Sequence, residues 1–221
     1  MVGKALGLKG NVMAYDLSAA CSGFMYALQN AKALLNEMRG KYALVIGSEE
    51  MSKILDFSDR STCVLFGDGA AAALIKLEDK EGVSCILSYS DGNDEDLVCG
   101  GVGSKDSFLK MKGQSVFKFA VKVIKQSIDE VLCQAGLDMS DIDFVVCHQA
   151  NARIIEFVKR NYEGREDKFY QNVGEYANTS AASIGLALDD LFESGKLKEG
   201  MKIVCVGFGA GMTWSAGVFE I

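Results

Sequence analysis

The chain has 221 residues, 49% of them hydrophobic, and a formal net charge of −7. That composition belongs to an ordinary globular protein with one large core or two modest halves, and it excludes a disordered chain. The negative balance argues against a general nucleic-acid binder, because phosphate recognition needs a cationic footprint. The longest apolar runs are strand-sized and no charged-then-apolar leader opens the chain, so no membrane partner is expected and the protein reads as cytoplasmic.

In chain order, a strand is expected from Asn11 through residues 12–17, followed by a long helix over residues 21–39. The first turns of that helix (Phe24, Met25, Tyr26, Ala27, Leu28) are apolar nearly all round, which predicts a buried element, and Gly40 terminates it. Apolar runs at 42–47 and 70–75 read as strands. Residues 87–106 are rich in Gly, Asp and Ser and read as the connection between two halves. A second helix is expected over 115–135, with Phe117, Val121, Ile124, Ile128, Val131 and Leu132 on one face and Lys118, Lys122 and Lys125 on another. A strand at Phe144-Val145-Val146-Cys147, helices near 149 and 183, and strands at 202–206 and 212–219 complete an alternating pattern that predicts α/β layers.

Seven cysteines without any C-x-x-C spacing, together with a single histidine, give no zinc pattern, and no metal is expected. Cys21 differs from the other six in its setting. It follows a strand-like run and the small residues Ser18-Ala19-Ala20, and it opens the buried helix. A thiol at a helix N-terminus lies beside the positive end of the dipole and unpaired N–H groups, which stabilise the thiolate and predict a lowered pKa. The alternative is a small core residue.

His148 ends an apolar strand just where a helix should begin, and a reaction needing an imidazole could use only this residue. Asn178 occupies a third such junction, in Asn178-Thr179-Ser180-Ala181-Ala182-Ser183, where it could equally be a helix cap. Three reactive residues at strand-to-helix junctions agree with the rule that α/β sites collect at the carboxyl ends of strands. The cluster Gly207-Phe208-Gly209-Ala210-Gly211 lies between two strands, so it reads as a hairpin or an oxyanion hole and not as a dinucleotide fingerprint.

The segments Asp16-Leu17-Ser18-Ala19-Ala20-Cys21-Ser22-Gly23-Phe24, His148-Gln149-Ala150-Asn151, Asn178-Thr179-Ser180-Ala181-Ala182-Ser183 and Gly207-Phe208-Gly209-Ala210-Gly211 closely resemble, in order, the motifs of the β-ketoacyl-acyl-carrier-protein synthase III family. Phe66-Gly67-Asp68-Gly69-Ala70 and Asp59-Arg60 also look like family segments, so the resemblance spans the chain. It implies an α/β thiolase-like fold of two similar halves in α-β-α-β-α layers, the first half incomplete because Met1 lies only twenty residues before Cys21. The corresponding division is 1–86 with the nucleophile, a connection over 87–114, and 115–221 with His148 and Asn178.

The resemblance further implies a decarboxylative Claisen condensation of acyl-coenzyme A with malonyl-acyl carrier protein, initiating fatty acid synthesis, with Cys21, His148 and Asn178 as catalytic residues. Backbone N–H groups of Cys21 and Ala210 would form the oxyanion hole, and Arg60, Phe66, Phe208 and Gly209 would bind substrate. No cofactor is implied beyond coenzyme A as the substrate thioester, and a homodimer is expected. An acidic carrier protein needs a local cationic surface, for which Lys118, Arg153, Lys159 and Arg160 are candidates. The single histidine separates the chain from the Cys-His-His elongating synthases. The other readings are a specialised ketoacyl or quinolone-type synthase and an inactive truncated subunit that acts only through assembly.

Overall fold

A computed structural model describes residues 2–10, 12–38, 40–76, 84–93, 95–100, 104 and 107–221. Asn11, Arg39 and parts of the 87–106 stretch therefore lie outside the described residues. A one-turn helix, α1 (Val2–Ala5), is followed by a 3-10 turn, Ala20–Ser22, that runs into α2 (Gly23–Met38). Then come β1 (Tyr42–Glu49), β2 (Gly69–Lys76), β3 (Ser84–Asn93), β4 (Leu97–Cys99), β5 (Leu109–Met111) and α3 (Gly113–Ala135). The second part of the chain continues with β6 (Phe144–Cys147), α4 (Ala152–Lys159), α5 (Val173–Tyr176), α6 (Ala182–Glu193), β7 (Lys202–Gly209) and β8 (Gly211–Glu220).

The central sheet has the order β3-β8-β7-β6, with β6 and β7 parallel and the other pairs antiparallel. Strand β7 is buried on both faces along nearly its whole length. One face of the sheet is covered by α3 and α4, whose Ile124, Ile128, Val131, Ile155 and Val158 pack on Val204, Val206 and Val218. Fully burying each such aliphatic side chain contributes about 1.5–3 kcal/mol. Gly136 ends α3 in the left-handed conformation at φ 67°, with its N–H donating to the carbonyls of Leu132 and Cys133.

The other face is covered by α2 and α6, and a two-stranded antiparallel sheet, β1–β2, lies on the far side of these helices. Phe24, Met25 and Leu28 of α2 are buried against Val45 of β1, Ile184 and Leu191 of α6, and Ile203 and Cys205 of β7. The expected burial thus holds for the first turns of α2, whereas Asn30, Ala33, Asn36 and Met38 further along are exposed, and Gly40 follows the helix with its N–H donating to Leu35. Alternation along β1 sends Val45 inward, while Leu44 and Ile46, with Leu74 of β2, face outward and are exposed. Among the described residues no helix is long and apolar enough to cross a membrane.

Two expectations are corrected. Residues 12–17 form no strand: Val12, Met13 and Tyr15 are exposed, and among the described residues no strand pairs with them to complete a ladder. Conversely, the polar stretch expected to be purely connecting contains most of β3. Its Ser88 and Tyr89 pair with Ser215 and Trp214, with a serine–serine hydrogen bond of 2.8 Å and ring centroids 5.9 Å apart. Cross-strand pairs of this kind outweigh the weak intrinsic strand preference of Ser, Asp and Gly.

Candidate active site

Cys21 sits in the sharp turn that delivers the chain into α2. Its predecessor Ala20 adopts φ 47°, a left-handed conformation unfavourable for any residue with a Cβ. The turn is held from both sides. Ser22 Oγ donates to the Ala19 carbonyl at 2.7 Å, and Thr213 Oγ1 of β8 lies 3.0 Å from the same carbonyl oxygen and 2.5 Å from Ser22 Oγ. The end of β7 presses directly against Cys21. A Cβ on Gly209 would lie 2.7 Å from the Cys21 nitrogen and 3.1 Å from its Cβ, so only glycine permits this approach.

His148 follows β6, and its backbone N–H donates to Val206 of β7 at 2.7 Å. His148 is 2% exposed, its Nδ1 lies 2.6 Å from Ser183 Oγ, and its ring meets the Phe208 ring edge to face at a 5.1 Å centroid distance and 66°. Burial pushes the imidazole down to about 3, so it is neutral through the physiological range.

Asn178 is joined to Phe66 by a parallel bridge: its N–H donates to Leu65 and its carbonyl accepts from Gly67. Its side-chain Oδ1 accepts the Ser180 N–H at 2.9 Å, capping a turn just before α6. With the oxygen so engaged, the amide nitrogen remains as the group to be presented to a ligand. Ala177 at φ 58° and Ser180 at φ 49° flank this loop. With Ala20 they are the non-glycine residues of positive φ among the described residues, and all three border the same site.

Cys21, His148 and Asn178 line a single cavity of about 280 Å3, with Phe66, Phe208 and Gly209 among its other walls and Arg153 also lining it. Ala210 follows Gly209 and, like Phe66, packs against the cluster of Met51, Leu97 and Leu109. Arg60 is exposed and does not line this cavity, whereas its neighbour Ser61 does. Lys118 and Arg160 lie exposed on the surface, and Lys159 is paired with Glu156 at 2.7 Å. Reasoning from sequence had assigned no role to Val116, Phe117 and Ile154, which supply apolar wall, or to Ser180 and Ser183, although both serines stand within a recognised motif.

The lowered thiol pKa expected for Cys21 is not found. Burial pushes the thiol up to about 11, with Glu49 adding to the rise and the Ser180 side chain and the backbone N–H of Cys21 opposing it. A helix N-terminus contributes about 0.3–1 kcal/mol, at most about 2, to holding an anion, and desolvation of a buried thiolate exceeds that. Cys21 at rest is therefore a thiol.

Residues 15–93 match the family described as 3-oxoacyl-[acyl-carrier-protein (ACP)] synthase III, and residues 132–221 match its C-terminal region. The chain is 44% identical to the β-ketoacyl-[acyl-carrier-protein] synthase III of Clostridium acetobutylicum, an alignment covering 100% of this chain and 71% of that protein. Its structure superposes on 3-oxoacyl-[acyl-carrier-protein] synthase III from Aquifex aeolicus with a TM-score of 0.92, at 38% identity, over 100% of this chain and 70% of the other. The corresponding enzyme of Pseudomonas aeruginosa gives a TM-score of 0.93 at 37% identity, over 99% and 70%. Sequence and structure agree with the motif reading, and the chain belongs to the β-ketoacyl-acyl-carrier-protein synthase III family, acyltransferases of the thiolase-like α/β fold.

Proposed function

We propose that this chain carries out the two half-reactions of a decarboxylative Claisen condensation, joining an acyl group from acyl-coenzyme A to malonyl-acyl carrier protein. The observation that carries the reading is the convergence of a thiol, a neutral imidazole and an amide on one buried cavity. In the first step the Cys21 sulfur attacks the thioester carbonyl. The C–S bond to coenzyme A then breaks, and the proton lost by Cys21 leaves on the coenzyme A thiol. The developing oxyanion is held by the backbone N–H groups of Cys21 and Ala210, a role supported by the contact of Gly209 with the Cys21 nitrogen. A single donor of this kind is worth about 3 kcal/mol of barrier.

In the second step the malonyl carboxylate leaves as carbon dioxide and its bonding electrons form a thioester enolate, stabilised by donors from His148 and Asn178. The enolate carbon attacks the acyl carbonyl, forms the new C–C bond and expels the Cys21 thiolate, which takes up one proton from solvent to restore the thiol. A neutral imidazole suits this role because it donates a hydrogen bond without surrendering a full proton. Coenzyme A enters as a substrate thioester, and the scheme uses no resident cofactor. Phe66, Phe208 and Gly209 line the acyl path, and Arg60 grips coenzyme A from outside the cavity. The first half, 1–86, supplies the nucleophile and 115–221 supplies the donors.

Arg153, lining the cavity, is the best placed of the four carrier-protein docking candidates; Lys118, Lys159 and Arg160 extend that surface. Exposed Leu44, Ile46 and Leu74 on the outer face of β1–β2 support assembly with a second copy. The test is carbon dioxide release from malonyl-acyl carrier protein with and without acyl-coenzyme A. The β-ketoacyl product is followed alongside: a product that requires both the acyl donor and Cys21 is expected, and condensation unaffected by Cys21→Ala would refute the scheme.

A further inference from the structure

The His148 ring is fixed by a residue outside the three named above. Ser183, the second residue of α6, is 2% exposed, and its hydroxyl oxygen lies 2.6 Å from His148 Nδ1. The same oxygen accepts the backbone N–H of Gln149 at 3.2 Å. Gln149 cannot move away from this contact freely, because its side chain is anchored at three points. Its Nε2 donates to Cys147 at 2.8 Å and to Tyr170 at 3.3 Å, and its Oε1 accepts from Asn172 at 3.0 Å. Phe208 holds the imidazole from another side.

Counting protons decides the direction of the short bond. The Gln149 N–H occupies one lone pair of Ser183 Oγ, and the hydroxyl has one proton of its own to give. Among the described residues the acceptor offered to that proton is Nδ1. If Nδ1 carried the hydrogen, the serine oxygen would receive two N–H groups and its own proton would be buried without a partner, which is costly.

We propose that Ser183 is a positioning residue that locks His148 in the Nε2–H tautomer, so that the chain's single histidine presents a donor, and not a base, to the cavity it shares with Cys21 and Asn178. The tautomer assignment follows from hydrogen bonding alone; its catalytic meaning rests on the function proposed above. It assigns His148 to enolate stabilisation and removes it as the acceptor of the Cys21 proton. Burial, which keeps the ring neutral, preserves this arrangement in mildly acidic solution.

Because the sequence contains one histidine, long-range proton–nitrogen NMR of the chain labelled with 15N-histidine reads the tautomer without assignment. A protonated Nε2 and an unprotonated Nδ1 are expected at pH 7 in the parent and in Ser183→Thr, which keeps the hydroxyl. In Ser183→Ala, folded by circular dichroism, a tautomer mixture is expected. Its kcat for decarboxylation should fall about tenfold, with less change in KM for malonyl-acyl carrier protein. A parent spectrum with the proton on Nδ1 would overturn the proposal whatever the activity. So would a Ser183→Ala protein with unchanged tautomer and unchanged kcat. An Nε2–H spectrum in a chain that releases no carbon dioxide would uphold the tautomer assignment and remove only the function proposed above.

Discussion

Replacing Gly209 by alanine places a methyl group 2.7 Å from the Cys21 nitrogen, 3.1 Å from its Cβ and 3.2 Å from its Cα. An ordinary contact begins near 3.4 Å, so the turn carrying the nucleophile and the end of β7 must separate by 3.4 − 2.7 = 0.7 Å. The neighbours are backbone atoms and the Cβ of a strained turn, not the flexible end of a side chain, so the strain has no cheap outlet. Overpacking of this kind costs about 1–3 kcal/mol of stability. The same separation moves the Cys21 and Ala210 N–H groups apart, and a misplacement approaching 1 Å costs up to about 100-fold in rate. Self-acylation of Cys21 by acyl-coenzyme A should therefore slow about 10- to 100-fold in Gly209→Ala. The assay is single-turnover labelling followed by mass spectrometry, with denaturant unfolding run in parallel. Gly174→Ala is the control, since an added Cβ there meets nothing within 4 Å. A folded Gly209→Ala protein that acylates within about threefold of the parent would show that the contact does not position the oxyanion donors, because a lost donor should cost far more.

Radiolabelled acyl-coenzyme A should mark Cys21 alone, and peptide mapping of Cys21→Ala should find no label on the other six cysteines. His148→Ala and Asn178→Ala should slow decarboxylation about 100-fold or more while slowing self-acylation far less, since thioester exchange needs the thiol and the oxyanion hole; equal loss of both half-reactions would contradict the division of roles. The folded pKa of His148, about 3, lies below the unfolded value of 6.5, so between these pH values the unfolded state binds the extra proton. Its contribution to stability is complete above pH 6.5 and is lost as pH falls toward 3, at up to about 1.4 kcal/mol per pH unit. Denaturant unfolding at several pH values should show that slope reduced by about one proton in His148→Gln; identical slopes would mean that the ring is not buried neutral.

The apolar runs that became β1, β2 and β6 were legible from their length and composition, although only β6 is buried almost throughout while β1 and β2 alternate, and α3 was legible from its period. Strand β3 was not, since Ser-Tyr-Ser-Asp-Gly-Asn reads as a loop until β8 supplies partners for Ser88 and Tyr89. Residues 12–17 failed in the opposite sense: a strand-like run forms no ladder without a neighbour. Within the site, the expected strand-to-helix boundary holds for His148, which follows β6, whereas Cys21 follows a run that forms no strand and Asn178 follows α5, so these two stand at turns that lead into helices. The depth of Cys21 was not legible, so a helix terminus predicted a low thiol pKa where burial sets a high one. The tasks of Ser183 and Gly209 depend on contacts 35 and 188 positions away in the chain, between Ser183 and His148 and between Gly209 and Cys21, which no local pattern encodes.

The site holds its reactive groups uncharged at rest, and that state follows from where the fold places them. Cys21 lies at the start of one buried helix, and Asn178 and Ser183 lie at the start of another, both pressed against the same face of the central sheet. In such surroundings a standing thiolate or imidazolium would be heavily desolvated, and the shifts of Cys21 upward and His148 downward express that cost. In the reaction proposed above, the same low dielectric would strengthen each fixed donor aimed at a transient oxyanion or enolate, so that charge is stabilised where it develops. Fixed donors require a rigid frame. Ala20, Ala177 and Ser180 each hold an unfavourable positive φ, at about 1–3 kcal/mol apiece, because the chain must turn abruptly to aim Cys21 and Asn178 into one cavity. Glycine at those positions would relieve the strain but would free the backbone on either side of the reactive residues. Strain at the junctions and neutrality in the cavity are thus two consequences of directing side chains from separate junctions to one buried point.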